Sequence, residues 1–83
     1  MNYEVVWDPP AERDLIEIWL SSRMRHAIRA SADQIDAALE RNPHDCGESR
    51  DEGERMMFEG RLGILFEVRD EQREVRVLSV WTI

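Results

Sequence analysis

Lysine is absent from this 83-residue chain, so all 11 of its Lys and Arg residues are arginine. Cysteine occurs once, at Cys46, which excludes a disulfide within the chain and fits a reducing compartment. No apolar run is long enough to cross a bilayer. The N-terminal "MNYEVVWDPP" lacks the basic and then apolar pattern of a signal peptide. We therefore expect a soluble, cytoplasmic protein with no membrane contact.

Basic residues are also few relative to acidic ones, and the formal net charge is −7. Because phosphate contacts dominate non-specific affinity for nucleic acids, this charge opposes RNA or DNA binding, although a local basic patch is still allowed. The hydrophobic share of 42% and the three tryptophans favour a folded chain over a disordered one. The length predicts a single domain, residues 1–83.

The first half of the chain has one strand pattern followed by two helix patterns. "YEVVW", Tyr3–Trp7, is rich in strand-forming residues. Asp8 is a candidate N-cap before a helix over Pro9–Leu20, and a second helix ends at Asn42-Pro43. The expected apolar stripes are Ala11, Leu15 and Trp19, widened by Ile16 and Leu20, and then Ile28, Ala32, Ile35 and Leu39.

The second half changes to a period of two residues and predicts three strands, "RMMFE", "LGILFEV" and "EVRVLSVW". The element order is β-α-α-β-β-β. It indicates an α+β fold of two layers, a helical hairpin packed on a mainly antiparallel sheet of about four strands. We expect one core that contains Trp19, Ile35, Leu39, Ile64 and Phe66. The expected strand faces are Leu62, Ile64, Phe66 and Val68 on the middle strand, and Val75, Val77, Ser79 and Trp81 on the last.

Apolar residues also occur on the opposite strand faces, at Leu65, Leu78 and Val80. One helical hairpin covers one face of a sheet, so these residues predict a partner-binding surface, with Arg76 at its border to pair with a carboxylate. A second copy of the chain would satisfy the same physics, so a homodimer stays open.

The loop "GESRDEGER", residues 47–55, carries four carboxylates, two guanidinium groups and two glycines. Metal-free RNA cleavage needs a base, an acid and cations that stabilise the phosphorane-like charge. Arg50 and Arg55 are the candidates for phosphate binding, with Glu54 as a weaker candidate base. The favoured alternative is a solvated turn in which Arg50 or Arg55 anchors the loop through carboxylate or backbone-carbonyl contacts.

The remaining candidates give weaker indications of chemistry. Neither His26 nor His44 has partners at metal-ligand spacing, so no metal or cofactor is expected. The basic cluster Arg23, Arg25 and Arg29 is either a phosphate-binding patch or a solvated helix start, and the solvated start is favoured.

Taken in order, four stretches resemble the RelE/ParE superfamily of bacterial type II toxin–antitoxin toxins. They are "VVWDPPAERDLIEIW", "IDAALERNP", "GESRDEGER" and "LGILFEVRDEQREVRVLSVW". The resemblance implies a small toxin that is encoded beside an antitoxin, which wraps it with a helix and an extended segment. RelE-like members cut messenger RNA on the ribosome without a metal, and ParE-like members poison DNA gyrase.

Two positions depart from the RNA-cutting pattern of that superfamily. Gly63 stands where the middle strand often has arginine, and the last strand ends Trp81-Thr82-Ile83 in place of histidine or tyrosine followed by a basic residue. Arg55 alone sits where a family arginine is common. The resemblance therefore implies a toxin with weak or absent ribosome-dependent mRNA cleavage. The alternatives are a gyrase-targeting poison and a non-catalytic interaction domain on the same fold.

Overall fold

Residues 2–83 are described by the computed structural model. The described residues form two α-helices and five strands, which follow the predicted order except for one additional short strand, so the α+β assignment is confirmed. The elements are β1 (Glu4–Trp7), α1 (Pro9–Ser21), α2 (Arg25–Arg41), β2 (Glu48–Ser49), β3 (Glu54–Glu59), β4 (Leu62–Arg69) and β5 (Glu74–Thr82).

The strands form one mixed sheet in the order β1-β5-β4-β3-β2. β1 runs parallel to β5, and the other pairs are antiparallel. The sheet therefore has one strand more than the approximate number predicted. The extra strand is the dipeptide Glu48–Ser49, which pairs with Met56 and Arg55 of β3. A two-residue strand is too short to give a period-two pattern in the sequence.

Prolines 9 and 10 open helix α1, where their missing N–H groups cost nothing. Asp8 precedes them, but its carboxylate accepts a hydrogen bond from Arg76 Nη1 at 2.6 Å rather than capping the helix. At the other end, Arg25 donates to the carbonyls of Trp19 and Leu20. Arg25 thereby satisfies two of the carbonyl groups that a helix C-terminus leaves without intrahelical partners.

Helix α1 is rotated relative to the expected stripe. Ala11 is buried, and Leu15 and Ile18 pack against the core. Trp19 is 36% exposed, so its predicted place in the core is wrong. Ile18 takes that place because residues 11, 15 and 18 share one side of a helix at 3.6 residues per turn.

The core lies between the helical hairpin and one face of the sheet. Ile35, Leu39, Ile64 and Phe66 are all fully buried there, as predicted. The other core residues are Ala11, Ile28, Met57, Leu62, Val75, Val77 and Val80.

A bulge in β5 reverses the two faces of that strand. Phe66 pairs with Val77, but the preceding residue Leu65 pairs with Ser79, so Leu78 is an extra residue in the ladder. Beyond such an insertion every side chain changes face. Val80 is consequently in the core at 6% exposed. Its predicted place on the sheet face opposite the helices is wrong, and so is the prediction that Ser79 and Trp81 share a face with Val77.

Candidate functional site

The loop over residues 47–55 has a defined backbone that depends on its glycines. Gly47 and Gly53 have φ values of +63° and +79°, in the left-handed region that glycine enters without strain. A Cβ atom at Gly47 would collide with the backbone carbonyl of Met56. The loop can therefore lie against β3 because residue 47 has no side chain.

Arg55 fixes this loop from the start of β3. Its Nε donates to the carbonyl of Cys46 at 3.0 Å, and its Nη2 donates to the carbonyl of Gly47 at 3.1 Å. Its Nη1 donates to Ser49 Oγ at 2.9 Å. The predicted anchoring through backbone carbonyls is confirmed for Arg55. Each guanidinium nitrogen already has a protein acceptor, which limits its capacity to bind a phosphate.

Arg50 is held more loosely in the same loop. Its Nη1 lies 3.1 Å from the carbonyl of Ser49 and 3.4 Å from the carboxylate of Glu48. Its Nη2 lies 3.7 Å from the sulfur of Met56. These contacts are long or exposed, so the Arg50 guanidinium remains accessible to a ligand at small energetic cost.

Arg50, Glu54 and Arg55 border one small hollow of about 170 Å³, together with His44, Ser49 and Val68. The structure therefore brings the three candidate catalytic residues together. The hollow offers the Arg50 guanidinium to an anion, and the hydrogen-bonded Arg55 guanidinium, a carboxylate and an imidazole lie on the same rim.

His44 belongs to a hydrogen-bonded cluster that the sequence does not reveal. Its Nε2 lies 2.8 Å from Asp70 Oδ1, and the Tyr3 hydroxyl donates to the same oxygen at 2.6 Å. The Arg73 guanidinium stacks on the Tyr3 ring at 4.3 Å. Residues 44 and 70 are 26 positions apart, and only the tertiary fold joins them.

The Asp70 carboxylate is the acceptor at the centre of this cluster. The hydrogen bond from Tyr3, followed by that from His44, holds the pKa of Asp70 below its ordinary value. The bond to Asp70 raises the pKa of the Tyr3 hydroxyl. Both shifts favour the arrangement found near neutral pH, an ionised Asp70 beside a protonated Tyr3.

One face of the sheet points away from the helices, and we call it the outer face. It carries an apolar strip formed by Met56, Phe58, Leu65, Leu78 and Trp81. Phe58 is the most exposed of these side chains, at 57%. The Trp81 ring lies over Gly63, where a Cβ atom would approach the indole to 2.5 Å. Gly63 therefore leaves room for the aromatic pair Phe58–Trp81, whose ring centroids are 6.2 Å apart.

Arginines border the outer face, and carboxylates pair with them. Arg76 contacts Asp8 at 2.6 Å and Glu74 at 3.1 Å. Arg69 contacts Glu67 at 2.6 Å. The predicted partner surface thus retains Leu65 and Leu78, both half-buried, with an already paired Arg76 at its border. Val80 is not available to it, since the bulge turns that residue into the core.

A second apolar surface lies between the helices, which pack beside each other along an open groove. We call it the helical groove; its volume is about 340 Å³. Its lining residues are Trp7, Glu12, Leu15, Ile16, Trp19, Ile28, Arg29, Ala32, Asp33 and Asp36. The Trp7 indole N–H donates to Asp36 Oδ1 at 2.8 Å at the base of this groove.

Within residues 2–83, no group of three or more His, Cys, Asp and Glu side chains is placed to hold a metal ion. Over the same residues, neither helix combines the length and the apolar character needed to cross a membrane.

Comparison with protein families gives a match over nearly the whole chain. A family model described as the ParE toxin of type II toxin–antitoxin systems, parDE, matches residues 5–82. In a comparison with curated protein sequences, no match was found.

Solved toxin structures share the fold. The toxin–antitoxin complex RelBE2 from Mycobacterium tuberculosis aligns with a TM-score of 0.80 and 26% identity, covering 100% of this chain and 93% of that chain. The chromosomal ParDE system of P. aeruginosa aligns with a TM-score of 0.75 and 18% identity, covering 98% and 96% of the two chains. A mutant of the E. coli toxin RelE in the free state aligns with a TM-score of 0.70 and 16% identity, covering 99% and 84%.

Proposed function

The chain belongs to the ParE toxin family of type II toxin–antitoxin systems, and on that premise we propose that it is a toxin with weak or absent ribosome-dependent cleavage of mRNA, neutralised by a cognate antitoxin. One of the similar solved structures, RelBE2 of Mycobacterium tuberculosis, is a complex of a toxin with its antitoxin, which supports the antitoxin as partner.

The proposal of weak cleavage rests on the ion pairs that the arginines around the outer face form with carboxylates. Arg76 has two carboxylate partners within 3.1 Å, and Arg69 has one at 2.6 Å and a second at 3.8 Å. A guanidinium that is already neutralised adds little positive potential to attract a phosphate chain. Trp81 and Thr82 supply no cation at the end of β5. The formal net charge of −7 acts in the same direction.

Residual cleavage, if any is measured, is assigned to the hollow beside the 47–55 loop. Arg50 has the more accessible guanidinium, Arg55 holds the loop, and Glu54 supplies a carboxylate on the same rim. A phosphate there would meet the accessible guanidinium of Arg50 beside the carboxylate of Glu54, while the guanidinium of Arg55 is already hydrogen-bonded to the loop, so its binding would be weak.

Ribosome-dependent cleavage of a defined messenger by the purified protein is the direct test. We expect no cleavage above background while an RNA-cutting relative, tested in parallel, cuts the same messenger. Strong cleavage that is lost in Arg50→Ala and Glu54→Gln would contradict the proposal of weak activity and place the reaction in this hollow. Strong cleavage that survives both changes would contradict the proposed site as well.

The toxin and antitoxin roles need a separate test in living cells. Induced expression of the chain should arrest bacterial growth, and co-expression of the protein encoded by the neighbouring reading frame should restore it. Growth that continues under induction would exclude a toxin role.

A gyrase-targeting poison is the second candidate function, and the match to the ParE family model favours it. In this alternative the toxin acts by binding a protein rather than by cutting RNA. The assay is DNA supercoiling by purified gyrase in the presence of the toxin. Inhibition at stoichiometric toxin would select this function, and unchanged supercoiling would exclude it.

The outer face is proposed to contribute to partner binding through Leu65 and Leu78, with Arg76 at its border. A homodimer through the same face is the alternative occupant. In co-purification with the neighbouring protein, Leu78→Asp should reduce recovery of the complex, because a carboxylate would be buried at the contact. Sedimentation of the free protein separates the homodimer from the monomer.

A further inference from the structure

The bulge in β5 brings a large aromatic side chain onto the outer face. Leu78 is the extra residue in the ladder with β4, and beyond it Val80 enters the core while Trp81 turns away from the helices. Without this insertion Trp81 would share the core face with Val77, because alternate residues of a strand share a face. The indole therefore lies on the outer face as a consequence of one inserted residue.

The indole covers a glycine in the middle of the sheet. Gly63 of β4 pairs with Phe58 of β3 on one side and with Trp81 of β5 on the other. Gly63 is buried although it faces away from the helices. A Cβ atom there would lie 2.5 Å from Trp81 Nε1 and 2.9 Å from Phe58 Cε1, much closer than the roughly 3.5–4.0 Å of an optimal carbon contact. The two rings thus fill the volume into which a side chain at position 63 would project.

The aromatic end of the outer face is remote from its paired arginines. Arg69 ends β4 about 20 Å from Gly63 along the strand, and both Arg69 and Arg76 are paired with carboxylates. The next outer-face pair, Met56 and Leu65, is apolar. Position 63 is therefore the place from which β4 could present a cation to a phosphate chain that lies across this apolar region.

We propose that Trp81 determines the ligand specificity of the outer face by holding the volume over Gly63, so that β4 cannot present a phosphate-binding side chain in the middle of the sheet. This inference rests on the proposed weak cleavage of mRNA and names a residue that enforces it. The ring and the glycine act as a pair. The ring has room because position 63 lacks a Cβ atom, and a side chain at position 63 is excluded because the ring is there.

A double-mutant cycle tests whether the indole holds this volume. Gly63→Arg in the wild-type background should lower the melting temperature by about 5 °C or more, because its Cβ atom displaces the indole. In the Trp81→Ala background the same substitution should cost much less, since the ring is gone. Gly63→Ala adds one methyl group and gives the same comparison if the arginine variants do not fold. Equal shifts of the melting temperature in the two backgrounds would overturn the inference.

Binding of single-stranded RNA tests the consequence for specificity. Fluorescence anisotropy compares Gly63→Arg with Ala30→Arg, both in the Trp81→Ala background. Ala30 is exposed on α2, on the other side of the sheet, so the control adds the same charge away from the outer face. At about 0.15 M salt Gly63→Arg should strengthen RNA binding about threefold to fivefold, and the slope of log affinity against log salt should steepen by about 0.7, the increment for one phosphate contact on a single strand. Ala30→Arg should leave the affinity close to that of Trp81→Ala.

Trp81→Ala alone separates exclusion of RNA from stacking on RNA. This variant opens space on the outer face and adds no charge, so it should bind RNA as weakly as the wild type does. A loss of RNA affinity in Trp81→Ala would show that the indole stacks on bases, and the inference would then be wrong.

The outcomes distinguish this inference from the function it rests on. If the wild type does not cleave mRNA and Gly63→Arg with Trp81→Ala binds RNA no better than the Ala30→Arg control, the inference is wrong and the proposal of weak cleavage stands. Strong cleavage by the wild type would overturn the proposed function and, with it, the specificity assigned to Trp81.

Discussion

Arg55 illustrates how one side chain can define a loop. The sequence offered two explanations for a loop with four carboxylates and two arginines, a catalytic site or a solvated connector. Arg55 donates three hydrogen bonds within the loop, which gives the segment a fixed path. The sequence could predict that an arginine anchors the loop, but it could not predict which one, since Arg50 carries the same guanidinium group five positions away.

Arg55→Ala should destabilise the protein by about 1–3 kcal/mol, because the partly buried carbonyl of Cys46 loses its donor, together with the exposed carbonyl of Gly47. Thermal unfolding measures the loss. Arg50→Ala is the matched control, and its unfolding temperature should stay close to that of the wild type, since its contacts are exposed. Equal effects of the two substitutions would contradict the anchoring role of Arg55.

The Asp70 cluster gives a prediction that depends on pH. Because the folded-state pKa of Asp70 lies below its ordinary value, its stabilising contribution is present above the unfolded pKa of about 3.9 and is lost as the pH falls through the folded value. The difference in melting temperature between wild type and Asp70→Asn should therefore be present at pH 7 and shrink below about pH 4.

Tyr3 makes the complementary contribution at high pH. The pKa of the Tyr3 hydroxyl is raised in the folded protein. The protonated hydroxyl therefore stabilises the fold fully at any pH below its ordinary pKa of about 10. This stabilisation is lost as the pH rises through the higher pKa of the folded state. A difference in melting temperature between wild type and Asp70→Asn that is constant from about pH 3 to 7 would contradict the stabilising role of the ionised Asp70 carboxylate in this cluster.

At the scale of elements, helix α1 shows that an apolar stripe in the sequence does not by itself predict which side of a helix is buried. Ala11 and Leu15 were correctly assigned to the core side, but Trp19 was wrongly placed there, and Ile18, which packs against the core, was not predicted. The helix has apolar residues around more than half of its circumference, so periodicity alone cannot select the buried side. The side left exposed, with Ile16 and Trp19, is the one that borders the helical groove.

Strand β5 shows a second limit. "EVRVLSVW" alternates regularly up to Val77, and nothing in its composition marks Leu78 as an extra residue. The bulge becomes visible only in the pairing with β4, where Leu65 meets Ser79. Register depends on the neighbouring strand, so a single-strand pattern cannot specify which face Val80 occupies.

Phe66 is the element-scale test of the core. It is fully buried on β4 opposite the helices, so Phe66→Ala should cost about 3–5 kcal/mol. Urea unfolding gives the value directly. Phe58→Ala removes the same atoms from a ring that is 57% exposed on the adjacent strand, and its cost should be much smaller. Similar losses in the two variants would mean that the core is not where the structure places it.

For the whole molecule, the order of elements was predictable because the period of the apolar pattern changes from 3.6 to two near Arg55, and that change needs no tertiary information. The cluster of Tyr3, His44 and Asp70 was not predictable, since it joins three segments that are distant in sequence. The helical groove was not predictable for the same reason: its acidic rim takes residues from both helices.

The charge of the whole molecule leads to the last prediction. With a formal net charge of −7 and carboxylates paired to Arg69 and Arg76 on the outer face, the toxin should bind single-stranded RNA no more tightly than a dissociation constant of about 100 µM at physiological salt, the weak limit of non-specific binding. Fluorescence anisotropy with a labelled RNA measures it. Glu74→Gln combined with Asp8→Asn would remove both carboxylate partners of Arg76. The double substitution should strengthen RNA binding and make it depend more steeply on salt. A wild-type dissociation constant near 1 µM, the tight limit of non-specific binding, would show that local basic charge outweighs the net charge.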